Sequence, residues 1–286
     1  MNYRHAFHAG NFADVLKHVV LTRILAYLRL KPKPFRVIDT HAGTGLYDLS
    51  GDEAERTGEW RDGIGRLAQP FAPEIEAVLA DYRRVLAQVR TRHGEGIYPG
   101  SPAIIREMLR PVDRGILVEL HPQDHAILAA RYHQVSNLKA LHLDGWQALH
   151  ALIPPKEKRG LVLIDPPYEK TGELPRLVRE IAGALTKWPT GIYAGWYPIK
   201  QQSGVDMALG PLDTLSRPVL RIEARVRRPA DHGGPDGGLC GSGLIVANPP
   251  WTLQQDLARL LPALDARLAQ EDGVPGFTLE RRGAPD

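Results

Sequence analysis

The sequence of 286 residues predicts an α/β protein with a Rossmann-like sheet into which a helical segment is inserted. Three observations predict this class. Four short apolar runs each end in an acidic residue, at Asp39, Glu119, Asp144 and Asp165. A Gly-x-Gly turn follows the first acid, and a long stretch with helical spacing of apolar residues separates the first run from the second. Acids at the carboxyl ends of parallel strands are typical of a ligand-binding sheet edge.

The chain is predicted to begin with a helix that leads into the first strand. Asn11 can cap this helix, and Asp14 lies near the positive end of its dipole. The apolar stripe of the helix comprises Phe12, Val15, Leu16, Val19, Val20, Leu25 and Leu28.

The turn after Asp39 indicates the kind of ligand. Gly43 and Gly45 let the backbone approach a bound group closely. The dinucleotide fingerprint requires a third glycine three residues later, where Asp48 stands. This argues against a pyrophosphate site and favours S-adenosylmethionine, which needs carboxylates and backbone groups but no phosphate cradle.

A helical insertion of about 50 residues is predicted after the first strand, because the ribose-binding acid of a simple unit lies ~20 residues after the glycine turn and Glu119 lies far beyond that. The inserted subdomain is placed at 50–97, and the catalytic domain at 1–49 and 98–286. The inserted apolar positions with helical spacing are Ile75, Val78, Leu79, Tyr82, Leu86 and Val89.

The second and third acids fit two parts of the same cofactor. Glu119 ends the run 115–118 and can accept hydrogen bonds from both ribose hydroxyls. Asp144 ends the run 141–143 and can accept one from an adenine amine. A single acid more often only closes a strand, but four of them with a glycine turn indicate a methyltransferase sheet.

The run 161–164 ends in Asp165, Pro166, Pro167 and Tyr168. Proline cannot continue a sheet ladder, so the two prolines fix the backbone shape here. The Asp165 carboxylate and the Pro166 carbonyl can each accept one N–H of an exocyclic amine, while Tyr168 stacks on the base. This predicts methylation of a base amine.

We call Asp165–Tyr168 the amine platform, because it could hold the base amine. A rival platform, Asn248-Pro249-Pro250-Trp251, follows the apolar run 244–247. Chain order favours Asp165, since the platform should follow the strands that bind the cofactor.

Further strands are predicted at 190–196, 219–227 and 242–248, with helices at 121–134, 171–187 and 252–269. The segment Pro229 to Gly243 reads as a loop between two antiparallel edge strands. Basic residues alternate along the strand before it, so that Arg221, Arg225 and Arg227 would share one side and could hold an RNA backbone.

Composition fits a cytoplasmic protein with a polyanionic partner. The sequence has 43% hydrophobic residues, a pI near 9.0 and a net charge of +3. No stretch approaches the ~20 apolar residues of a membrane span, and the polar first residues do not resemble a signal peptide. The single cysteine, Cys240, excludes an internal disulfide and a cysteine-type zinc site.

Several motifs together resemble one family. They are Tyr3–Asn11, Asp14–His18, Asp39–Gly43, Ala54–Glu59, Tyr98–Pro102, Glu119–Pro122, Asp165–Tyr168 and Asn248–Trp251. In this combination, and over nearly the whole chain, the sequence resembles the bacterial 23S ribosomal RNA adenine-N6 methyltransferase J family, with no departure at the motif positions.

The resemblance implies a class I methyltransferase fold with an inserted helical subdomain, S-adenosylmethionine as methyl donor, and one adenine of large-subunit rRNA as target. It implies that Asp165 is the proton acceptor and that Tyr3 meets the RNA. The cofactor contacts that it implies are His18, His41, Ser101, Glu119, Asp144, Gly145 and Asp165. For His18 and His41 the resemblance is the sole reason to expect a cofactor contact, because the residues around them do not indicate one.

The N-terminal residues before the first helix are also expected in the active site, because Tyr3 and His5 are an aromatic ring and an imidazole close to a capped helix that carries Lys17. Tyr3, His5, Lys17 and Tyr168 are therefore the expected substrate contacts.

The sequence leaves alternative sites and functions open. A metal site built from His5, His8, His18 and His41 is conceivable, but methyl transfer needs no Lewis acid, so no metal is expected. The amine platform also suits guanine N2 of rRNA or a DNA adenine. A non-catalytic RNA-binding protein on the same fold is the rival of another class.

Overall fold

The computed structural model describes residues 4–228, 239–270 and 276–284, which form two sheets. The strands are β1 (Arg36–Asp39), β2 (Leu46–Asp48), β3 (Ile97–Pro99), β4 (Arg114–Glu119), β5 (Leu138–His142), β6 (Gly160–Ile164), β7 (Ile192–Ile199), β8 (Val219–Arg225), β9 (Gly241–Ala247) and β10 (Phe277–Arg282). The α-helices are α1 (Phe12–Arg29), α2 (Asp52–Thr57), α3 (Pro73–His93), α4 (Ser101–Met108), α5 (Pro122–Tyr132), α6 (Gly145–Ala151), α7 (Glu173–Lys187), α8 (Gln202–Leu209) and α9 (Leu253–Leu268).

The main sheet has eight strands in the order β10-β8-β9-β7-β6-β1-β4-β5. The pairs β4–β5, β1–β4, β1–β6 and β6–β7 are parallel, whereas β9 is antiparallel to both β7 and β8. This is the Rossmann-like sheet of class I methyltransferases, so the predicted fold class is confirmed. Because β1 lies between β4 and β6, the carboxyl ends of these three strands meet at one edge.

Helices cover both faces of the sheet, as parallel strands require. Successive strand residues point to opposite faces, so Val37 and Leu161 join one apolar cluster while Ile38 and Val162 join the other. The first cluster contains residues of α1, α3, α4 and α9, and the second contains residues of α6, α7 and α8. No helix within the described ranges is long and apolar enough to cross a bilayer.

The first helix, α1, has the predicted cap: the Asn11 Oδ1 atom accepts a hydrogen bond from the Asp14 backbone N–H at 3.0 Å. The helix is buried on most sides, because α3, α4 and α9 pack against it and the sheet lies below it. Polar side chains on α1 are therefore held in the interior, and this is how Lys17 and His18 come to be buried.

The inserted segment is helical, as predicted, and is closed by a small sheet in which β2 pairs antiparallel with β3. It contains α2, two 3-10 helices (Glu59–Asp62 and Ile64–Ala68) and α3. Because α3 packs on α1 and shares its apolar cluster, the segment adjoins the catalytic core. Its assignment to a separate subdomain at 50–97 stays a prediction.

Several elements differ from the sequence prediction. Strand β5 begins at Leu138 and ends at His142, so Asp144 does not close it but caps α6. Helices α4, α6 and α8 and strand β10 were not predicted; the three helices are short. Strands β8 and β9 are not edge strands. Strand β9 lies between β7 and β8, and β10 pairs with β8 on its outer side. Most of the predicted loop, at 229–238, lies outside the described residues.

The prediction of an RNA-facing basic strand is wrong for β8. Arg221 is buried, and its guanidinium lies 2.8 Å from Glu223 and 2.5 Å from Asp206. Arg225 lies 2.9 Å from the other carboxylate oxygen of Glu223, and Arg227 donates to a backbone carbonyl. Alternation placed Arg221 and Arg225 on one side of the strand, but that side also carries the buried acid Glu223, which pairs with both of them.

Candidate active site

Three predicted acids do meet at the carboxyl edge of the sheet. In the register of β1 with its neighbours, Asp39 lies beside Leu117 of β4 and Leu163 of β6. Glu119 and Asp165 each follow two residues later, so their side chains flank Asp39. This edge is where ligands bind in open α/β sheets.

Asp165 forms an ion pair with Lys17. The Lys17 Nζ atom lies 2.5 Å from Asp165 Oδ2 and 2.8 Å from Asp14 Oδ1. The Lys17 side chain is 6% exposed and that of Asp165 is 16% exposed. Burial alone would lower the pKa of Lys17, but the charges of Asp14 and Asp165 raise it above its ordinary value. Lys17 is therefore a fixed cation beside the proposed platform.

Asp14 connects the first residues of the chain to this pair. Its Oδ2 atom lies 2.9 Å from His5 Nε2 and accepts a hydrogen bond from the Gly10 backbone N–H at 2.9 Å. Burial favours the neutral acid, but the interactions with His5 and Lys17 hold the pKa of Asp14 well below its usual range. Sequence reasoning treated Asp14 only as a dipole residue and missed this role.

The N-terminal residues are held against the inserted segment. His5 begins a short 3-10 helix and packs edge-on against Tyr47, with ring centroids 4.9 Å apart. The Thr57 hydroxyl donates to the Phe7 carbonyl at 2.5 Å, and His8 Nδ1 lies 3.0 Å from Glu59. His5 and Lys17 thus share the network of Asp165. Tyr3 lies outside the described residues.

Tyr168 and Trp196 form an aromatic pair next to the ion pair. The Tyr168 hydroxyl donates to the Trp196 carbonyl at 2.7 Å, and the two rings meet edge to face at 5.5 Å. The Lys17 Nζ atom lies 5.9 Å from the Trp196 ring centroid. The strand end after Pro166 turns sharply, because Tyr168 has a φ of 53°. Trp196 was missed from the sequence, since it lies inside β7 with no motif around it.

Glu119 is fixed by the glycine turn. One of its carboxylate oxygens accepts the Gly43 backbone N–H at 2.8 Å, and the other accepts the His121 backbone N–H at 2.7 Å. Gly43 has a φ of 62°, a conformation that favours glycine. Each carboxylate oxygen keeps a free lone pair, so Glu119 can still accept from two ribose hydroxyls.

His41, Asp144 and Gly145 lie together on the other side of this turn. Asp144 caps α6 by accepting the Gln147 backbone N–H at 2.9 Å. A side-chain carbon at Gly145 would lie 2.4 Å from the Thr40 carbonyl and 2.7 Å from the His41 ring, so only glycine allows this approach. Burial lowers the pKa of His41 to about 4, which leaves a neutral imidazole.

Asp39 is an unpaired buried acid at the centre of the edge. Both of its carboxylate oxygens are buried, and neither forms a hydrogen bond of good geometry with a residue at 4–228, 239–270 or 276–284. Burial, reinforced by the charge of Asp165, raises the pKa of Asp39 to about 7, against the opposing effects of the Ser101 side chain, the Lys17 charge and the His41 backbone N–H. Ser101, the first residue of α4, is buried nearby. Buried polar groups are normally paired, so this edge suits a ligand with hydrogen-bond donors or positive charge.

His18 follows Lys17 on α1 and is almost fully buried. Its Nδ1 atom lies 2.8 Å from the Tyr98 hydroxyl oxygen. Each of the four histidines considered as metal ligands forms a hydrogen bond with a different residue. These residues are Asp14 for His5, Glu59 for His8, Tyr98 for His18 and Thr40 for His41.

The rival platform lies at the wrong edge of the sheet. Because β9 is antiparallel to β7, Ala247 pairs with Tyr193 near the amino end of β7. Asn248 therefore lies at the edge opposite Asp165. Its side-chain amide donates to the Pro189 carbonyl at 2.9 Å and to the Gly191 carbonyl at 2.7 Å, which ties down the turn before β7.

Comparison with known proteins gives the same family over nearly the whole length. Residues 32–279 match a family model described as ribosomal RNA large subunit methyltransferase D, RlmJ. The chain is 42% identical over 283 residues to ribosomal RNA large subunit methyltransferase J of Haemophilus influenzae, with 98% of each chain covered. It is 41% identical over 269 residues to the Escherichia coli protein of that name, with 94% of each covered. A crystal structure of a Legionella pneumophila protein, 33% identical, has a TM-score of 0.81 and covers 96% of this chain and 98% of its own.

Proposed function

The chain belongs to the ribosomal RNA large subunit methyltransferase J family, and we propose that it methylates the exocyclic N6 amine of one adenine in 23S ribosomal RNA. The observation that carries the proposal is the position of Asp165. It ends β6 beside the acids of β1 and β4 and is paired with the buried cation of Lys17. An amine acceptor and a cofactor edge thus adjoin each other.

S-adenosylmethionine fits this edge by charge and by hydrogen bonding. The cofactor carries a sulfonium and an ammonium, and it supplies an electrophilic methyl group when bound. The unpaired carboxylate of Asp39 and the free lone pairs of Glu119 suit its cationic and hydroxyl groups. The residues that would hold the cofactor are His18, His41, Ser101, Glu119, Asp144, Gly145 and Asp165.

Asp165 and Pro166 would orient the target amine. The lone pair of the adenine amine is delocalised into the ring, so acceptors for its two N–H bonds draw electron density onto nitrogen and direct that lone pair at the methyl group. Lys17 contacts Oδ2 of Asp165, which leaves Oδ1 for the amine. As the new N–CH3 bond forms, the S–CH3 bond would break and leave neutral S-adenosylhomocysteine; the nitrogen would then carry the positive charge and lose its proton to Asp165.

The base would lie against Tyr168 and Trp196. The hydrogen bond from the Tyr168 hydroxyl to the Trp196 carbonyl fixes both rings. A base in this position must be unstacked from the RNA or already single-stranded. Tyr3 and His5 would cover it from the N-terminal side, since His5 shares the carboxylate network of Lys17. The inserted segment, which holds the N-terminal residues, would contact the surrounding RNA. An rRNA substrate supports a cytoplasmic location for the proposed reaction.

The test is methyl transfer by the purified full-length chain from isotope-labelled S-adenosylmethionine to transcribed 23S rRNA, with duplex DNA in parallel and nucleoside analysis by mass spectrometry. N6-methyladenosine in rRNA alone is expected. N2-methylguanosine, or methylation of DNA instead, would replace the proposed substrate. Failure of the chain to bind S-adenosylhomocysteine in a calorimeter would favour a non-catalytic RNA-binding protein.

A further inference from the structure

A buried chain of hydrogen bonds leads from the inserted segment to His18. The His18 Nδ1 atom lies 2.8 Å from the Tyr98 hydroxyl oxygen, which lies 3.0 Å from the Tyr82 hydroxyl oxygen. All three side chains are essentially inaccessible to water. Tyr82 comes from α3 and Tyr98 from β3, so three separate elements meet here. Neither tyrosine has a role in the chemistry described above.

Hydrogen-bond accounting gives this chain a direction. Burial, with a smaller effect of Lys17, lowers the pKa of His18 to about 3, so its imidazole is neutral and has one donor and one acceptor. If Nδ1 carried the hydrogen, Tyr98 would donate to Tyr82, and the buried Tyr82 hydroxyl hydrogen would have no acceptor in the part of the chain that the structure describes. In the reverse direction, Tyr82 donates to Tyr98 and Tyr98 donates to Nδ1, which uses both hydroxyl hydrogens. The one hydrogen left over is then on His18 Nε2, which is not fully enclosed and can meet an acceptor from outside the protein, whereas the Tyr82 hydroxyl cannot.

The reverse direction leaves the hydrogen of His18 on Nε2. No residue within 4–228, 239–270 or 276–284 forms a hydrogen bond with that atom. Nε2–H is thus a donor that the described part of the protein does not use. Lys17, the residue before His18 on α1, contacts Asp165, so this donor lies close to the proposed site.

We propose that Tyr98 and Tyr82 are positioning residues that fix His18 in the Nε2–H tautomer, so that His18 donates a hydrogen bond to an acceptor atom of S-adenosylmethionine. This rests on the assignment of His18 to the cofactor in the proposed function. Tyr98 acts directly on the imidazole, and Tyr82 sets the direction of the Tyr98 hydroxyl. Through Tyr82 the inserted segment contributes to cofactor binding without touching the cofactor.

The first measurement is the affinity for S-adenosylhomocysteine by calorimetry. A net hydrogen bond is worth about 1 kcal/mol, which corresponds to about 5-fold. We expect Tyr98→Phe to weaken binding by about 5-fold to 20-fold and Tyr82→Phe by about 2-fold to 5-fold. The matched control is Tyr193→Phe, because Tyr193 is equally buried and its hydroxyl donates to the Ala184 and Trp188 carbonyls on the other face of the sheet. It should lose stability without losing affinity.

The second measurement reads the tautomer itself. In protein labelled with 15N-histidine, the His18 signals, identified by their loss in His18→Gln, should show a hydrogen on Nε2 in the free wild-type chain. Tyr98→Phe should give a mixture of tautomers. In the His18→Gln background, Tyr98→Phe should cause no further loss of affinity, because the tyrosine acts through the histidine.

A wild-type chain that does not bind S-adenosylhomocysteine would overturn the proposed cofactor. A wild-type chain that binds, with Tyr98→Phe binding equally well, would overturn the positioning role alone. An Nδ1–H tautomer in the wild-type chain would do the same, and so would an undiminished effect of Tyr98→Phe in the His18→Gln background.

Discussion

Lys17 and Asp165 are 148 positions apart in the sequence, and their side chains meet at 2.5 Å. The contact joins the first helix to the end of the central strand β6. Because Lys17 also contacts Asp14, which contacts His5, the N-terminal residues and the proposed amine platform belong to one network. The arrangement explains how a segment at the start of the chain can take part in chemistry at the sheet edge.

Replacing Lys17 with the similarly shaped Met should impair both stability and turnover. The change leaves the carboxylates of Asp14 and Asp165 without their shared cation, and breaking a buried ion pair costs about 3 to 5 kcal/mol. Urea unfolding should show a loss in this range, and turnover should fall even at saturating RNA. Lys139→Met, on β5, is the control for a lost lysine charge. Equal stability of Lys17→Met and wild type would mean that the pair is not formed.

Asp39→Asn should change how stability depends on pH. Burial raises the pKa of Asp39 to about 7, so the folded state binds a proton that the unfolded state has already released. The folded wild type therefore loses stability from this group as pH rises from about 4 to about 7. The stability of Asp39→Asn relative to wild type should increase over that window by about 3 to 4 kcal/mol.

The same variant should bind S-adenosylhomocysteine more weakly, because it loses the unpaired carboxylate at the centre of the edge. A relative stability that is flat with pH would show that Asp39 is paired or hydrated in solution.

His18 and His41 should destabilise the fold at low pH. Their pKa values are lowered to about 3 and about 4, so below pH ~6.5 the unfolded chain binds protons that the folded chain does not. Each contributes a loss of up to ~1.4 kcal/mol for each pH unit of decrease until its folded pKa is reached. The slope of unfolding free energy between pH 6 and pH 4 should be shallower in His18→Gln and in His41→Gln. Unaltered slopes would place both imidazoles in water.

Trp196→Leu should weaken RNA binding while leaving affinity for S-adenosylhomocysteine unchanged. Stacking of a base on an aromatic ring contributes ~1 to 3 kcal/mol, so its loss should weaken RNA affinity roughly 5-fold to 100-fold. Trp251→Leu is the matched control, since Trp251 is 75% exposed and follows the strand end at the opposite edge. Equal losses in the two variants would remove Trp196 from the base site.

The sequence predicted the sheet and its binding edge because both depend on local signals. An apolar run that ends in an acid locates Glu119 and Asp165 without any tertiary information, and chain order favours Asp165 over Asn248. The limits of strand β5 are harder to predict. The polar Lys139 interrupts its apolar pattern, and its position at the exposed edge of the sheet makes that pattern weak.

The remainder of the site depends on contacts between distant segments. Asp14 looks like an ordinary acid near the positive end of a helix dipole until the fold brings His5 and Lys17 to it. Arg221 failed as an RNA contact for a related reason: the alternation of β8 predicts which residues share a side, but it does not show that Arg221 is buried there and paired with Glu223 and Asp206. Tyr98 stands in a motif, but nothing in the sequence indicates that its hydroxyl meets His18, and Trp196 has no motif around it.

The most direct test of the account is methyl transfer to 23S rRNA by Asp165→Ala, measured beside wild type and Asn248→Ala with the same labelled S-adenosylmethionine. Asp165→Ala should fold, bind S-adenosylhomocysteine at least in part, and lose about 100-fold to 10,000-fold in turnover, because the loss removes the amine acceptor at the transition state. Asn248→Ala should retain most of its turnover. Near-normal methylation by Asp165→Ala would contradict the assignment of the platform to the end of β6.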